Sequence, residues 1–201
     1  MSRAPIPSLI VVLVFGLAAC GGDDDTEPTT SAEKPASEGQ PVEAPSEIVG
    51  GRSVLKLDSE LERVLNAAQV ELAPIGAAED VPGGVTLPIT TGELDIDTPS
   101  GVIEHAGGLE FSALGASLRA EDLRIRPEDG VVTATVGGER IPLLDTELDR
   151  PRVVDTSDKI VLPSEVRIGD QAVTALNDAL GVEVFEGGLR LGRLTASAER
   201  P

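Results

Sequence analysis

The sequence predicts a mainly β fold, an antiparallel β-sandwich or open barrel of about eight to eleven short strands carrying two short helices. Three observations predict it. From Arg52 onward, short apolar stretches alternate with charged residues at the period of a half-buried strand. Gly, Pro and Asp punctuate these stretches at short intervals, as turns require. Helical periodicity is confined to two segments.

The first of those helices is expected to begin at Ser59, with Leu61, Val64, Leu65 and Ala68 on one face and Glu62 completing a capping box. Strict alternation follows in residues 92–97, where Leu94 and Ile96 oppose Glu93, Asp95 and Asp97. Gly107-Gly108 marks a turn after His105. Leu118, Leu123 and Ile125 then sit among charges in residues 117–126, and Pro127-Glu128-Asp129-Gly130 leads into the β-branched run 131–136. Gly137-Gly138 has the form of a two-residue hairpin loop. Residues 159–168 and 189–196 read as further strands. Between them a second helix begins near Asp170, carries Val173, Leu176 and Leu180 on one face, and ends at Gly181. The segments 57–72 and 168–184 share a Leu-Asn or Leu-Asn-like helix between apolar strands at an offset of 111 residues, which reads either as an internal repeat or as a coincidence of short amphipathic segments. The core must be built from Val, Leu, Ile and Ala, with Phe111 and Phe185 as its large rings.

Ahead of this domain, Arg3, an apolar run from Ile10 to Leu17 and the small residues Ala18-Ala19 form an export signal over residues 1–19. The tetrad Leu17-Ala18-Ala19-Cys20 resembles the lipobox of bacterial lipoproteins. That resemblance implies a diacylglycerol on Cys20 and a location on the extracytoplasmic side of the cell membrane, with the membrane as partner through the anchor. Residues 20–50 then form an acidic linker: residues 21–50 hold eight carboxylates, one Lys and four prolines, a composition that favours a disordered, self-repelling tether. The folded domain is expected over residues 51–201.

Composition narrows the function. A net charge of −19 and three Phe as the only aromatics oppose binding to nucleic acid, which relies on Lys, Arg and stacking. One Cys and one His cannot build a protein-only zinc site, so no metal is expected. Residues 95–101 resemble a calcium loop superficially but lack its closing Glu and carry Pro99. No Gly-x-Ser-x-Gly elbow, phosphate loop or dinucleotide fingerprint is present. His105 is the sole histidine, so acid–base catalysis would have to pass through it; its place at a strand end beside a turn favours a structural role. No catalytic residue is assigned, and the chain is expected not to be an enzyme.

Residues 87–95, 101–111, 118–127 and 130–136 resemble the surface domain of bacterial haem-uptake proteins, the HtaA-like family. A wider likeness, from Val54 to Ala196, links the chain to exported β domains sharing the His-x-Gly-Gly-Leu turn (here His105 to Leu109) and a closing Ala-Leu-Asn helix (Ala175 to Asn177). The family resemblance implies haem held by a tyrosine supported by histidine. This chain has no tyrosine, so haem or another small ligand would rest on His105. The expectation is therefore a lipid-anchored, non-enzymatic binding or structural module without a cofactor, with haem or small-ligand capture through His105 as the alternative.

Overall fold

The computed structural model describes residues 44–148, 152–154 and 158–201. The export signal, Cys20 and the linker up to residue 43 lie outside the described residues. The end of the expected linker, from Ser46, belongs instead to the folded domain, because Ile48 is buried and Ser46–Ile48 pairs with residues 92–94. Pro41–Pro201 forms one compact unit with its own core.

The elements follow one another as β1 (Ser46–Ile48), β2 (Gly50–Leu57), α1 (Ser59–Ala67), β3 (Glu71–Ile75), β4 (Glu79–Val81), β5 (Gly84–Asp95), β6 (Ser100–His105), β7 (Gly108–Ala113), β8 (Ala116–Arg126), β9 (Val131–Val136), β10 (Glu139–Leu148), β11 (Arg152–Val154), β12 (Lys159–Ile168), α2 (Asp170–Leu180) and β13 (Arg190–Glu199). Every strand pair is antiparallel, as short connections favour. The structure takes the barrel rather than the sandwich, and the barrel is closed where an open one was expected. Strands β5, β2, β13, β12, β10, β9 and β8 are joined in that order, and β6 pairs with both β5 and β8, so eight strands close into a ring. Closure removes the sheet edges that an open form would have to protect. The remaining strands are short additions to the ring: β1 and β4 pair with β5, β11 with β12, and β7 extends from β8 to carry β3.

Eight strands enclose a space that side chains alone can fill. Here β12 places Ile160, Leu162, Ser164, Val166 and Ile168 inward on strict alternation. In β8 the buried positions are Leu118, Ala120, Leu123 and Ile125, and the odd step between 120 and 123 coincides with a register shift against β9. An extra residue there, Asp122 at φ 51°, restores the inward phase after the step. The irregular spacing visible in the sequence is thus a β-bulge.

The helices form where their apolar faces require. In α1, Leu61 and Leu65 are buried. The N-cap is Asp58, whose carboxylate accepts from Glu60 N at 2.9 Å; Ser59 is the first helical residue instead of the cap, and the capping box expected between Ser59 and Glu62 does not form. In α2, Ala172, Leu176 and Leu180 face the core while Val173 is half-buried, and Gly181 ends the helix at φ 65°. Asn177 pins the following segment by exchanging hydrogen bonds with the Phe185 backbone. The proposed repeat is partly visible in this arrangement. β2 and β12 flank β13, and each runs directly into a helix. Its third arm fails: residues 182–184 form no strand, unlike β3.

At the β9–β10 connection, Val136 pairs with Glu139, and Gly137 and Gly138 both have positive φ. That is the two-residue turn expected there, with a twist that matches the strands it joins.

Candidate ligand-binding site

The place where the barrel closes is also where its polar chemistry gathers. The β6–β8 ladder consists of Ile103↔Ile125 and Glu104↔Arg124. Beyond it β6 ends at His105, and β8 makes the bulge at Asp122 and Leu123. A bulge leaves backbone groups without ladder partners. The two adjacent carbonyls here are both taken by side chains: His105 Nδ1 lies 3.2 Å from the Leu123 oxygen, and Arg140 Nη1 donates to the Asp122 oxygen at 3.0 Å. The histidine is buried and the arginine exposed, so the bulge is braced by one residue of each kind.

His105 is 5% exposed, and its Nε2 lies 2.7 Å from Ser53 Oγ on β2. A carbonyl only accepts, so Nδ1 carries the proton; Nε2 of the neutral ring then accepts from the Ser53 hydroxyl. The ring joins β2, β6 and β8 across the seam. Burial pushes its pKa down to about 4, and the Leu123 carbonyl opposes that shift only in part. The serine–histidine pair has the spacing of a nucleophile and base. Ser53 is 0% exposed, however, so no substrate reaches it without opening the barrel.

On the exposed side lie two adjoining depressions that share Glu104, Arg124 and Arg140, with volumes of about 280 and 710 Å³. Arg124 Nε pairs with Glu104 at 3.1 Å, and Arg126 pairs with Asp129 at 3.1 Å. Arg140 is held by neutral groups alone: besides the Asp122 carbonyl, it donates to Thr133 Oγ1 and Thr135 Oγ1, each at 3.2 Å. Cross-strand register makes this possible, since Arg140 sits opposite Thr135 and Arg124 opposite Thr133.

Of the positions singled out in the sequence, Cys20 lies outside the described residues, and His105 is in place at the seam as a satisfied buried strut. The calcium-like loop is the β5–β6 turn. Asp95 spends its carboxylate on the turn itself, accepting from Asp97 N, Thr98 N and Thr98 Oγ1. Those bonds, the Thr98 hydroxyl first, hold its pKa below the usual carboxylate value. No group of three or more His, Cys, Asp or Glu suited to a metal ion occurs among the described residues. Ser53, Arg124, Arg140, Thr133 and Thr135 were not singled out. The signal for the last four was slight, the alternation of Thr133 and Thr135 on one strand, and their meeting with Arg124 and Arg140 depends on register.

No family model matches this sequence, and no curated protein matches it. Solved structures do. The C-terminal domain of HtaA from Corynebacterium glutamicum superposes with a TM-score of 0.60 at 12% identity, over 76% of this chain and 98% of that one. The chain has the HtaA-like fold. The haem-binding protein HtaB from the same organism gives a TM-score of 0.52 at 10% identity, over 78% of this chain and 96% of that one. A domain-swapped dimer of a His-to-Ala variant of the HtaA domain gives 0.52 at 13% identity, over 70% and 91%.

The HtaA-like fold raises the question of haem. Haem iron takes His, Cys, Met or Tyr as axial ligand. This sequence has no Tyr, its Met and Cys are Met1 and Cys20, and its one His is His105. With both ring nitrogens committed and the ring buried, His105 does not fit axial ligation. The described domain therefore keeps the fold without a residue suited to hold the iron.

Proposed function

We propose that this protein is a non-enzymatic binding module, held by a lipidated Cys20 on the extracytoplasmic face of a membrane, that takes small ligands on the outside of its barrel. The observation that carries the binding role is the pair of joined depressions over the β6–β8 seam, lined by arginine, carboxylate and hydroxyl side chains on a barrel whose interior is occupied. The HtaA-like fold, seen in a protein described as haem-binding, supports a ligand-binding rather than catalytic role. The burial of Ser53 supports it too, because the one nucleophile–base pair at this seam has no access to substrate.

The anchor rests on residues 1–20 and is tested directly. Cells fed a labelled fatty acid are expected to incorporate it into the wild-type chain and not into Cys20→Ser, which should leave the membrane fraction. Label in Cys20→Ser, or wild type without label, would refute the anchor. The binding role is tested by capturing the membrane-derived protein and identifying small molecules that come with it; a protein recovered with none would count against this reading.

Haem ligation through His105 is not expected, because both ring nitrogens are engaged and the ring is buried. Ferric haem mixed with residues 41–201 is expected to give the same Soret spectrum with wild type and His105→Ala. A band shift present in the former and lost in the latter would restore His105 as a ligand.

A further inference from the structure

The geometry points to Arg140 as the anchoring residue for an organic carboxylate with an apolar body, bound in the groove over β6, β8, β9 and β10; this rests on the reading of the protein as a binding module and names the ligand class. A guanidinium has five N–H donors. Nη1 donates to the Asp122 carbonyl and the Thr133 hydroxyl, and Nη2 to the Thr135 hydroxyl. Nε has no acceptor among the described residues and Nη2 has one only, so the guanidinium keeps donors for an incoming group. A carboxylate, with two oxygens, is the group a guanidinium fork matches best. Because the three acceptors are neutral, they fix the plane without cancelling its charge.

The other charges of the wider depression are matched, apart from the Asp122 carboxylate in the adjoining one, which has no cation partner among the described residues. Glu104 pairs with Arg124, and Arg126 with Asp129. Glu128 accepts from Gly101 N at 2.8 Å and lies 3.8 Å from Arg126. No carboxylate among the described residues pairs with Arg140, so an incoming anion displaces none from it. The remaining wall is less polar: Val102 and the aliphatic stems of Arg124 and Arg126 border a volume of about 710 Å³. A ligand with its carboxylate on Arg140 and an apolar body along this wall uses both features. The acidity of the chain as a whole, −19, disfavours anions at long range and leaves selection to this short-range fork.

The test uses residues 41–201, which form a compact unit, and two fluorescent probes, 1-pyrenebutyrate and its uncharged twin 1-pyrenebutanol. Wild type is expected to bind the acid about tenfold more tightly than the alcohol, the order of one charge-assisted bidentate contact. Arg140→Gln should abolish that preference, and Arg140→Lys should lose most of it by keeping charge without the fork. Arg193→Gln, on β13, should retain it. Thermal melting checks that each variant is folded, and Thr135→Val, which loosens the guanidinium while sparing it, should weaken the preference if Arg140→Gln does not fold. Equal affinity for the two probes, a preference that survives Arg140→Gln, or no binding of either probe overturns the site. The first two outcomes leave the module reading standing, and the last leaves it to the ligands recovered from membranes.

Discussion

Replacing Phe111 with alanine is expected to lower the folding stability of residues 41–201 by about 3–5 kcal/mol, the usual range for a buried ring truncated in a core. Phe111 is 0% exposed on β7, opposite Leu72 of β3 and Leu118 of β8. Its ring meets that of Phe185 edge to face, with centroids 5.9 Å apart and planes at 86°. Phe185 follows α2 and is pinned there by Asn177, and α2 itself packs against β7, β8 and β10. The contact therefore ties a helix to a sheet extension that the barrel ladder alone does not secure. Domains of this size are stable by about 5–15 kcal/mol in all, so the loss is a large share of the whole. Phe111→Leu, which keeps most of the volume, should lose less than half as much. Urea unfolding of the three proteins measures both differences. A Phe111→Ala variant within about 1 kcal/mol of wild type would show that this cluster is peripheral to stability.

That ring was visible in the sequence, where Phe111 and Phe185 stand alone among aliphatic residues; their contact was not, since it depends on how α2 lies over the sheet. The same division runs through the fold. Alternation in β9 and β12, the paired glycines at 137–138 and the Gly181 stop are local, and each was legible because one residue's neighbours along the chain determine it. Closure of the barrel was not legible, because it rests on two register pairs between β6 and β8, which no periodicity encodes. The bulge shows the intermediate case. Its trace lay in the spacing of Leu118, Leu123 and Ile125, yet only the structure shows that the extra residue frees carbonyls for His105 and Arg140. His105 was picked out by being the sole histidine. Ser53, its partner 52 positions away, is one serine among many until β2 and β6 are placed on either side of β5.

Acid should loosen the barrel seam through His105. The ordinary histidine pKa of 6.5 applies in the unfolded chain, and burial lowers it to about 4 in the folded one. Between those values the unfolded state binds a proton that the folded state refuses, so stability rises with pH across the window. His105 therefore contributes fully above pH 6.5 and its contribution falls away as pH drops toward 4, by roughly 3 kcal/mol in total. Asp95 acts in the same direction further down the scale, because its lowered pKa stabilises the fold until its carboxylate is protonated. The charged groups bordering the outer wall at His105, namely Glu104, Asp122, Arg124 and Arg140, are the same in the variant as in wild type. The difference between wild type and His105→Leu thus isolates the ring. At pH 7 His105→Leu should be less stable by about 1–3 kcal/mol, since Ser53 loses its acceptor and the Leu123 carbonyl its donor. That gap should narrow as pH falls from 6.5 to 4. Profiles that stay parallel across the window would mean that the histidine is protonated equally in both states, and that the seam is held by its strands alone.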